Sequence, residues 1–144
     1  MLFEKFTHSL DREGRLALPA RLRDLLGDDL KRGLVLTCGA ETCLVAYTQE
    51  RFGVLLGQLE GDTGISRSTS RAFKRALGER TAIVTPDKQG RISIPEALRS
   101  AAHLTREVTV VGAVDAIEIW DTATYEKDAP ARQAAYDRVA PRLF

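Results

Sequence analysis

A short stretch of sequence that could bind an anion occurs twice in this chain. Asp11-Arg12-Glu13-Gly14-Arg15-Leu16-Ala17-Leu18-Pro19 returns as Asp87-Lys88-Gln89-Gly90-Arg91-Ile92-Ser93-Ile94-Pro95. Within it, aspartate can accept hydrogen bonds from nearby backbone N–H groups and glycine allows a positive φ, so both residues suit a tight turn. The carboxylate can also hold the guanidinium four residues later in a fixed orientation. An oriented guanidinium suits phosphate oxygens or the edge of a guanine base.

Turn structure alone accounts for part of this pattern. A single copy favours a purely structural role, because hairpin turns often contain Asp, Gly and a charged residue. Two copies in matching contexts weaken that interpretation, since turn geometry requires Asp and Gly but does not require Arg. Taken by itself, the doubled motif leaves nucleic-acid binding about as well supported as turn structure.

The elements around the two turns are predicted to match. Strands over 3–10 and 81–86 enter the turns, and strands over 15–18 and 91–94 leave them, with alternating apolar residues. Pro19 and Pro95 suit the first position of a following helix. The apolar stripes of these two helices are predicted to be Leu22, Leu25 and Leu26 in the first and Leu98, Ala101 and Ala102 in the second.

A second correspondence follows each helix. Residues 35–40 resemble 108–113, and 43–47 resemble 116–120, so each half is predicted to run strand, turn, strand, helix, strand, turn, strand. Helices are expected over 48–59 and 65–77 between the halves. After Asp121, which could cap a helix, the chain is expected to be helical towards Arg138, with Pro130 interrupting that helix or beginning a new one.

The length and the charge limit the possible domain organisation and the possible partners. With 144 residues the chain has the size of one domain, whereas each half alone would have a marginal core, so the halves are expected to share one core. The net charge of +1 neither supports nor excludes a polyanionic partner. Local basic character lies in Arg67, Arg71, Lys74 and Arg75, which could contact phosphates, although a solvated helix face or subunit contacts are favoured.

Other chemistry has little support. Asp62-Thr63-Gly64 matches the short aspartic-protease signature, but that chemistry needs two facing carboxylates and the tripeptide occurs once. Cys38 and Cys43 are expected to be free thiols, and neither His8 nor His103 has the spacing of a zinc ligand. The sequence therefore predicts no enzyme, metal or cofactor. Without a leader or a long apolar run, a cytoplasmic protein is expected.

Together, these motifs resemble a known family. The doubled motif, the in-register Leu22-Arg23 and Leu98-Arg99, and Ile117-Glu118-Ile119-Trp120-Asp121 are similar to the MraZ family of bacterial transcriptional regulators over residues 3–125. The resemblance implies an α+β fold, an AbrB-like swapped-hairpin β-barrel formed by two pseudo-symmetric βαββ-type halves with additional helices. The implied divisions are a first SpoVT-AbrB-like module with its following helix over 1–60, a basic connecting helix over 61–80, a second module over 81–125, and a helical tail over 126–144.

The resemblance also implies a function and a site. MraZ-like proteins bind direct repeats in double-stranded DNA upstream of the division and cell-wall gene cluster, as ring-shaped, octamer-like homo-oligomers associated with the nucleoid. No membrane, cofactor or small-molecule substrate is implied. The candidate DNA-binding residues are Arg15 and Arg91, oriented by Asp11 and Asp87, with Arg12 and Lys88 as candidate phosphate contacts. The alternative is an AbrB-like protein-interaction module of antitoxin type.

Overall fold

Eight strands and seven helices make up the chain, whose computed structural model describes residues 1–144. The strands are β1 (Lys5–Ser9), β2 (Arg15–Ala17), β3 (Leu34–Cys38), β4 (Leu44–Thr48), β5 (Thr81–Val84), β6 (Arg91–Ser93), β7 (Glu107–Gly112) and β8 (Ile117–Asp121). The helices are α1 (Ala20–Leu26), α2 (Asp28–Arg32), α3 (Gln49–Glu60), α4 (Arg67–Glu79), α5 (Glu96–Ala101), α6 (Thr122–Lys127) and α7 (Ala129–Leu143). The predicted α+β class and the predicted order of elements in each half are confirmed.

The sheet interleaves the two halves. Six antiparallel strands follow the order β1-β7-β8-β4-β3-β5, which reads the same in reverse when the halves are exchanged. The first strand of each half pairs with the third strand of the other half, as in the register pairs Phe6↔Val110 and Ile83↔Val35. The short strands β2 and β6 form a separate antiparallel ribbon, also contributed by both halves.

The strand pairing leaves this sheet open. Strands β1 and β5 are its edges and do not pair with each other, while β2 and β6 pair only with each other. The ribbon strands have three residues each, and Pro19 and Pro95 follow soon after with no N–H to extend a ladder. The closed swapped-hairpin barrel is therefore not confirmed by the hydrogen-bond pattern.

Both halves contribute to the main hydrophobic core. Its 19 buried residues include equivalent pairs such as Leu16 with Ile92 and Leu22 with Leu98. Burying one such side chain contributes about 1.5–3 kcal/mol. The ribbon lies directly on this core, since Leu16 and Ile92 are completely buried. Packing of the ribbon against the core therefore holds its outward face in a fixed position.

Two details of the helices that follow the ribbon differ from the prediction. Leu25 and Ala101 are exposed, because these helices have only seven and six residues: α1 buries Leu22 and Leu26, α5 buries Leu98, and Ala102 is buried immediately after α5. Each proline immediately precedes its helix instead of occupying the first helical position. Its extended backbone, with ψ 135° at Pro19 and 144° at Pro95, cannot belong to the helix.

The segments after the sheet follow the predicted plan. Asp121 occupies the cap position of α6, and Pro130 lies in the first turn of α7, so it begins a new helix.

Cys38 and Cys43 are free, and burial raises the pKa of the Cys43 thiol to about 12. None of the seven helices combines the length and the apolar composition needed to cross a bilayer.

Candidate nucleic-acid interface

The first repeated turn is built around the carboxylate of Asp11. Its Oδ1 accepts hydrogen bonds from the backbone N–H groups of Glu13 at 2.9 Å and of Arg15 at 2.8 Å. Its Oδ2 accepts from Nε of Arg15 at 2.6 Å, so the same carboxylate fixes the turn and orients the guanidinium. Glu13 also engages this guanidinium, with Oε2 2.9 Å from Nη2. Gly14 adopts the φ of +77° that the turn requires.

The second turn repeats this geometry with one difference. Asp87 Oδ1 accepts from the backbone N–H groups of Gln89 at 2.9 Å and of Arg91 at 3.0 Å, and Oδ2 accepts from Nε of Arg91 at 2.9 Å. Gly90 has the same φ of +77°. Gln89 stands where the first turn has a glutamate, so no third-position carboxylate pairs with Arg91.

Both arginines lie on the outward face of the ribbon. In β2 and β6 the central residues are buried and the flanking residues are more accessible, which directs Arg15 and Arg91 away from the core. Arg15 is opposite Ser93, so the two arginines are diagonal neighbours about 7–8 Å apart at the backbone. The side chains remain partly accessible, at 34% for Arg15 and 29% for Arg91. Asp11 lies between them, since its Oδ2 is also 3.9 Å from Nη1 of Arg91.

Hydrogen bonds shift the pKa values of Asp11, Arg15 and Asp87. The hydrogen bond from the backbone N–H of Arg15 does most to lower the pKa of Asp11; burial opposes it, and the Arg15 side chain lowers the pKa further. The backbone N–H of Arg91 likewise does most to lower the pKa of Asp87. The hydrogen bond to Asp11 raises the pKa of Arg15. Both carboxylates are therefore ionised at neutral pH and balance the two guanidiniums.

Each turn is also bound to the opposite half of the chain. The carbonyl of Gly14 accepts from the N–H of Ile94 at 3.0 Å, and the carbonyl of Gly90 accepts from the N–H of Leu18 at 3.0 Å. These bonds extend the ribbon on both sides. The two turns are consequently fixed relative to each other as well as to the core.

An arginine from the opposite half packs on each turn glycine. A Cβ added to Gly14 would lie 1.4 Å from Nη1 of Arg99, and one added to Gly90 would lie 2.7 Å from Nη1 of Arg23. Nε of Arg23 also donates to the carbonyl of Leu18 at 3.1 Å. Neither arginine was predicted to have a role, although the repeated Leu-Arg pair marks the two as equivalent.

The other candidate residues lie farther out. Arg12 and Lys88 are exposed at the tips of the turns. Arg67, Arg71, Lys74 and Arg75 are all exposed on α4, where Nζ of Lys74 pairs with Oε1 of Glu60 at 2.5 Å. Asp62 is exposed in the turn between α3 and α4, and its Oδ1 accepts from the N–H of Gly64 at 2.8 Å, which is a local turn bond.

A groove adjoins each turn, and the two grooves differ in charge. The first groove, of about 1020 Å³, is lined by Leu10, Asp11, Arg12, Glu96, Arg99, Ser100, His103, Leu104, Thr105 and Arg106. The second groove, of about 370 Å³, is lined by Arg23, Asp24, Gly27, Asp28, Leu30, Lys31, Pro86, Asp87, Lys88 and Gly90. Three arginines face two carboxylates in the first groove, whereas three cations face three carboxylates in the second.

Comparison with known proteins agrees with this arrangement of two equivalent halves. The family model described as "MraZ protein, putative antitoxin-like" matches residues 1–76 and 79–137. The transcriptional regulator MraZ of Lactiplantibacillus plantarum is 37% identical over 144 residues, covering 100% of this chain and 99% of that protein. The proteins of the same name from Cutibacterium acnes and Clavibacter michiganensis are 36% and 38% identical, covering 100% and 96% of this chain and 98% and 97% of those proteins. The chain belongs to the MraZ family.

Proposed function

We propose that this protein is a DNA-binding transcriptional regulator whose two Asp-x-x-Gly-Arg turns contact the duplex. The observation that carries the proposal is the pair of guanidiniums held by carboxylates on the outward face of one ribbon. Both arginines are oriented through Nε; Nη1 of Arg15 and both terminal nitrogens of Arg91 then make no hydrogen bond within the chain and remain for an acceptor. The regulators named above, which align along nearly the whole chain, support the same function.

The geometry favours a rigid contact. Each guanidinium is held by a carboxylate that is itself fixed by two backbone N–H groups, so little side-chain freedom is lost when a phosphate or base binds. Arg12 and Lys88, at the exposed turn tips, would add phosphate contacts that set the register on the duplex. Arg15 and Arg91 would then read a base edge or clamp the backbone between those contacts.

The central experiment is a gel-shift titration of the double variant Arg15→Ala/Arg91→Ala. Specific binding should be lost, while circular dichroism and light scattering should show an unchanged fold and assembly. The matched control is Arg138→Ala/Arg142→Ala, which removes two exposed cations on α7 and should leave specific binding in place. Unchanged affinity of the first double variant would overturn the assignment of the turns.

We further propose that the DNA partner carries direct repeats, upstream of the division and cell-wall genes, and that the protein binds them in the nucleoid as a ring-shaped, octamer-like homo-oligomer. Repeated copies of one weak contact gain affinity when several sites are engaged together. A binding selection from random duplexes should recover repeated short elements with constant spacing. Recovery of single elements bound by a monomer would contradict this part of the proposal.

A protein-binding role of antitoxin type is the second candidate, because the matching family description contains the term antitoxin-like. Its supporting feature would be a segment available to a protein partner, and α7 exposes Tyr136, Val139 and Leu143. Truncation before Ala129 distinguishes the two candidates. A DNA-binding regulator should retain its turns and its affinity for the selected duplex, whereas a partner bound through α7 would be lost.

A further inference from the structure

We infer that the first groove is a second phosphate-binding surface, which holds the DNA backbone beside the Arg15 turn. This inference rests on the proposed function and extends it to residues outside the repeated motif. The surface is formed by Arg12 on one wall and by Arg99 and Arg106 on the other. It therefore exists only because the second half of the chain is interleaved with the first.

The charge in this groove is available to a ligand. None of these three arginines forms an ion pair, whereas Arg15, Arg21, Arg32, Arg51, Arg91 and Arg132 all do. Of the two carboxylates that line the groove, Asp11 is already committed to Arg15. An unneutralised set of guanidiniums in a concave surface raises the local potential and attracts polyanions. Phosphate oxygens also match the planar fork of an arginine.

The position of the groove links it to the turn. The guanidinium of Arg99 occupies the space above Gly14, so its charge lies against the backbone of the Arg15 turn. Leu10, which precedes the turn, donates its N–H to the carbonyl of Arg106 at 2.8 Å, which fixes the opposite wall. A duplex backbone in contact with Arg15 would therefore continue along cations whose backbone is fixed beside the turn.

The second groove, beside the Arg91 turn, is less basic. Its Arg23 and Lys88 also form no ion pair, but Lys31 is 3.7 Å from Asp28, and Asp24 is a further carboxylate in the lining. The second groove is also less than half as large. The inferred phosphate surface is therefore more basic beside the Arg15 turn than its counterpart beside the Arg91 turn, which would give the protein a direction along DNA.

The test is the salt dependence of binding, measured on the duplex recovered from the selection and on a scrambled duplex of equal length. Arg106→Gln and Arg99→Gln should each make the slope of log Kobs against log salt shallower by about one and should weaken binding to both duplexes, as expected for lost phosphate contacts. Arg99→Lys, which keeps the charge, should retain more affinity than Arg99→Gln. The matched control is Lys31→Gln in the second groove, which should leave the slope unchanged.

The outcomes separate the groove from the turns. Unchanged slopes for Arg106→Gln and Arg99→Gln, with binding still lost in Arg15→Ala/Arg91→Ala, would overturn the groove and leave the proposed function standing. An equal change for Lys31→Gln would also overturn it, because the effect would then follow net charge instead of position. Absence of duplex binding by the unaltered chain would overturn both proposals.

Discussion

The two Asp-x-x-Gly-Arg turns have the same backbone and the same Asp–Arg pair, but they differ at their third residue. Glu13 places a second carboxylate 2.9 Å from Nη2 of Arg15, whereas Gln89 gives Arg91 no such partner. The nearest additional carboxylate to Arg91 is Asp11, at 3.9 Å. A phosphate must therefore compete with Glu13 for Arg15, but meets much less competition at Arg91.

The charge of the grooves beside the two turns shows the opposite trend. The turn with the more neutralised arginine lies beside the basic first groove, while the turn with the freer arginine lies beside the charge-balanced second groove. The orientation of each guanidinium is set by structure that both halves share, because backbone hydrogen bonds and buried apolar pairs repeat between the halves. Side chains outside this shared structure then decide how strongly each turn attracts an anion.

The largest expected effect is on the freer arginine. Arg91→Ala should weaken binding of the selected duplex by about 10- to 100-fold, as for loss of one good guanidinium contact, and Arg15→Ala should weaken it less. Competition titrations of the two single variants on one duplex give the comparison directly. Equal losses would mean that Glu13 moves away when DNA binds.

The next effect concerns the stability of the turns. Gly14→Ala and Gly90→Ala should each lower the free energy of unfolding by about 1–2 kcal/mol, the cost of a left-handed conformation for a residue with a Cβ. The loss should be slightly greater at Gly14, where the added Cβ would lie 1.4 Å from Nη1 of Arg99 and this flexible side chain must swing aside, against 2.7 Å from Nη1 of Arg23 at Gly90. Urea unfolding measures both variants.

Arg99→Ala tests whether the greater loss of stability in Gly14→Ala comes from the contact between the added Cβ and Arg99. Combined with Gly14→Ala, it should recover the part of the loss that comes from the clash and leave the part that comes from φ. A double-mutant cycle with no coupling between the two positions would contradict the packing argument.

The turns were predictable from the sequence because their chemistry is local. Asp, Gly and Arg at fixed spacing determined the carboxylate bonds of both turns, and the repeat determined the order of strands and helices. The packing of Arg99 on Gly14 was not predictable, since it depends on how the halves interleave. The exposure of Leu25 followed from the shortness of α1, and the open sheet followed from three-residue ribbon strands that end before prolines.

A smaller effect is expected from exchanging the third residues of the two turns. Glu13→Gln removes the competing carboxylate and should strengthen DNA binding by about three- to tenfold at low salt, with less gain at high salt because the contact is exposed. The reciprocal Gln89→Glu should weaken binding by a similar factor. If both changes move the affinity in one direction, the third residue does not act through its charge.

The smallest effect is the dependence of stability on acid. Hydrogen bonds from the backbone N–H groups and side chains of Arg15 and Arg91 lower the pKa values of Asp11 and Asp87 in the folded chain. In the unfolded chain these aspartates titrate at about 3.9. Just below that pH the unfolded chain binds more protons, so the contribution of both turns is present above about pH 4 and is lost as the pH falls through the folded values.

This dependence should follow the carboxylates themselves. In Asp11→Asn and Asp87→Asn, the slope of unfolding free energy against pH between about 2 and 4 should be smaller than in the unaltered chain. Carbon chemical shifts of the two carboxyl groups report the folded pKa values directly, and both should titrate below the reference value of 3.8. Titration at or above that value in one turn would mean that its arginine is not held by the aspartate in solution. The two turns would then differ in their Asp–Arg geometry as well as in their third residue.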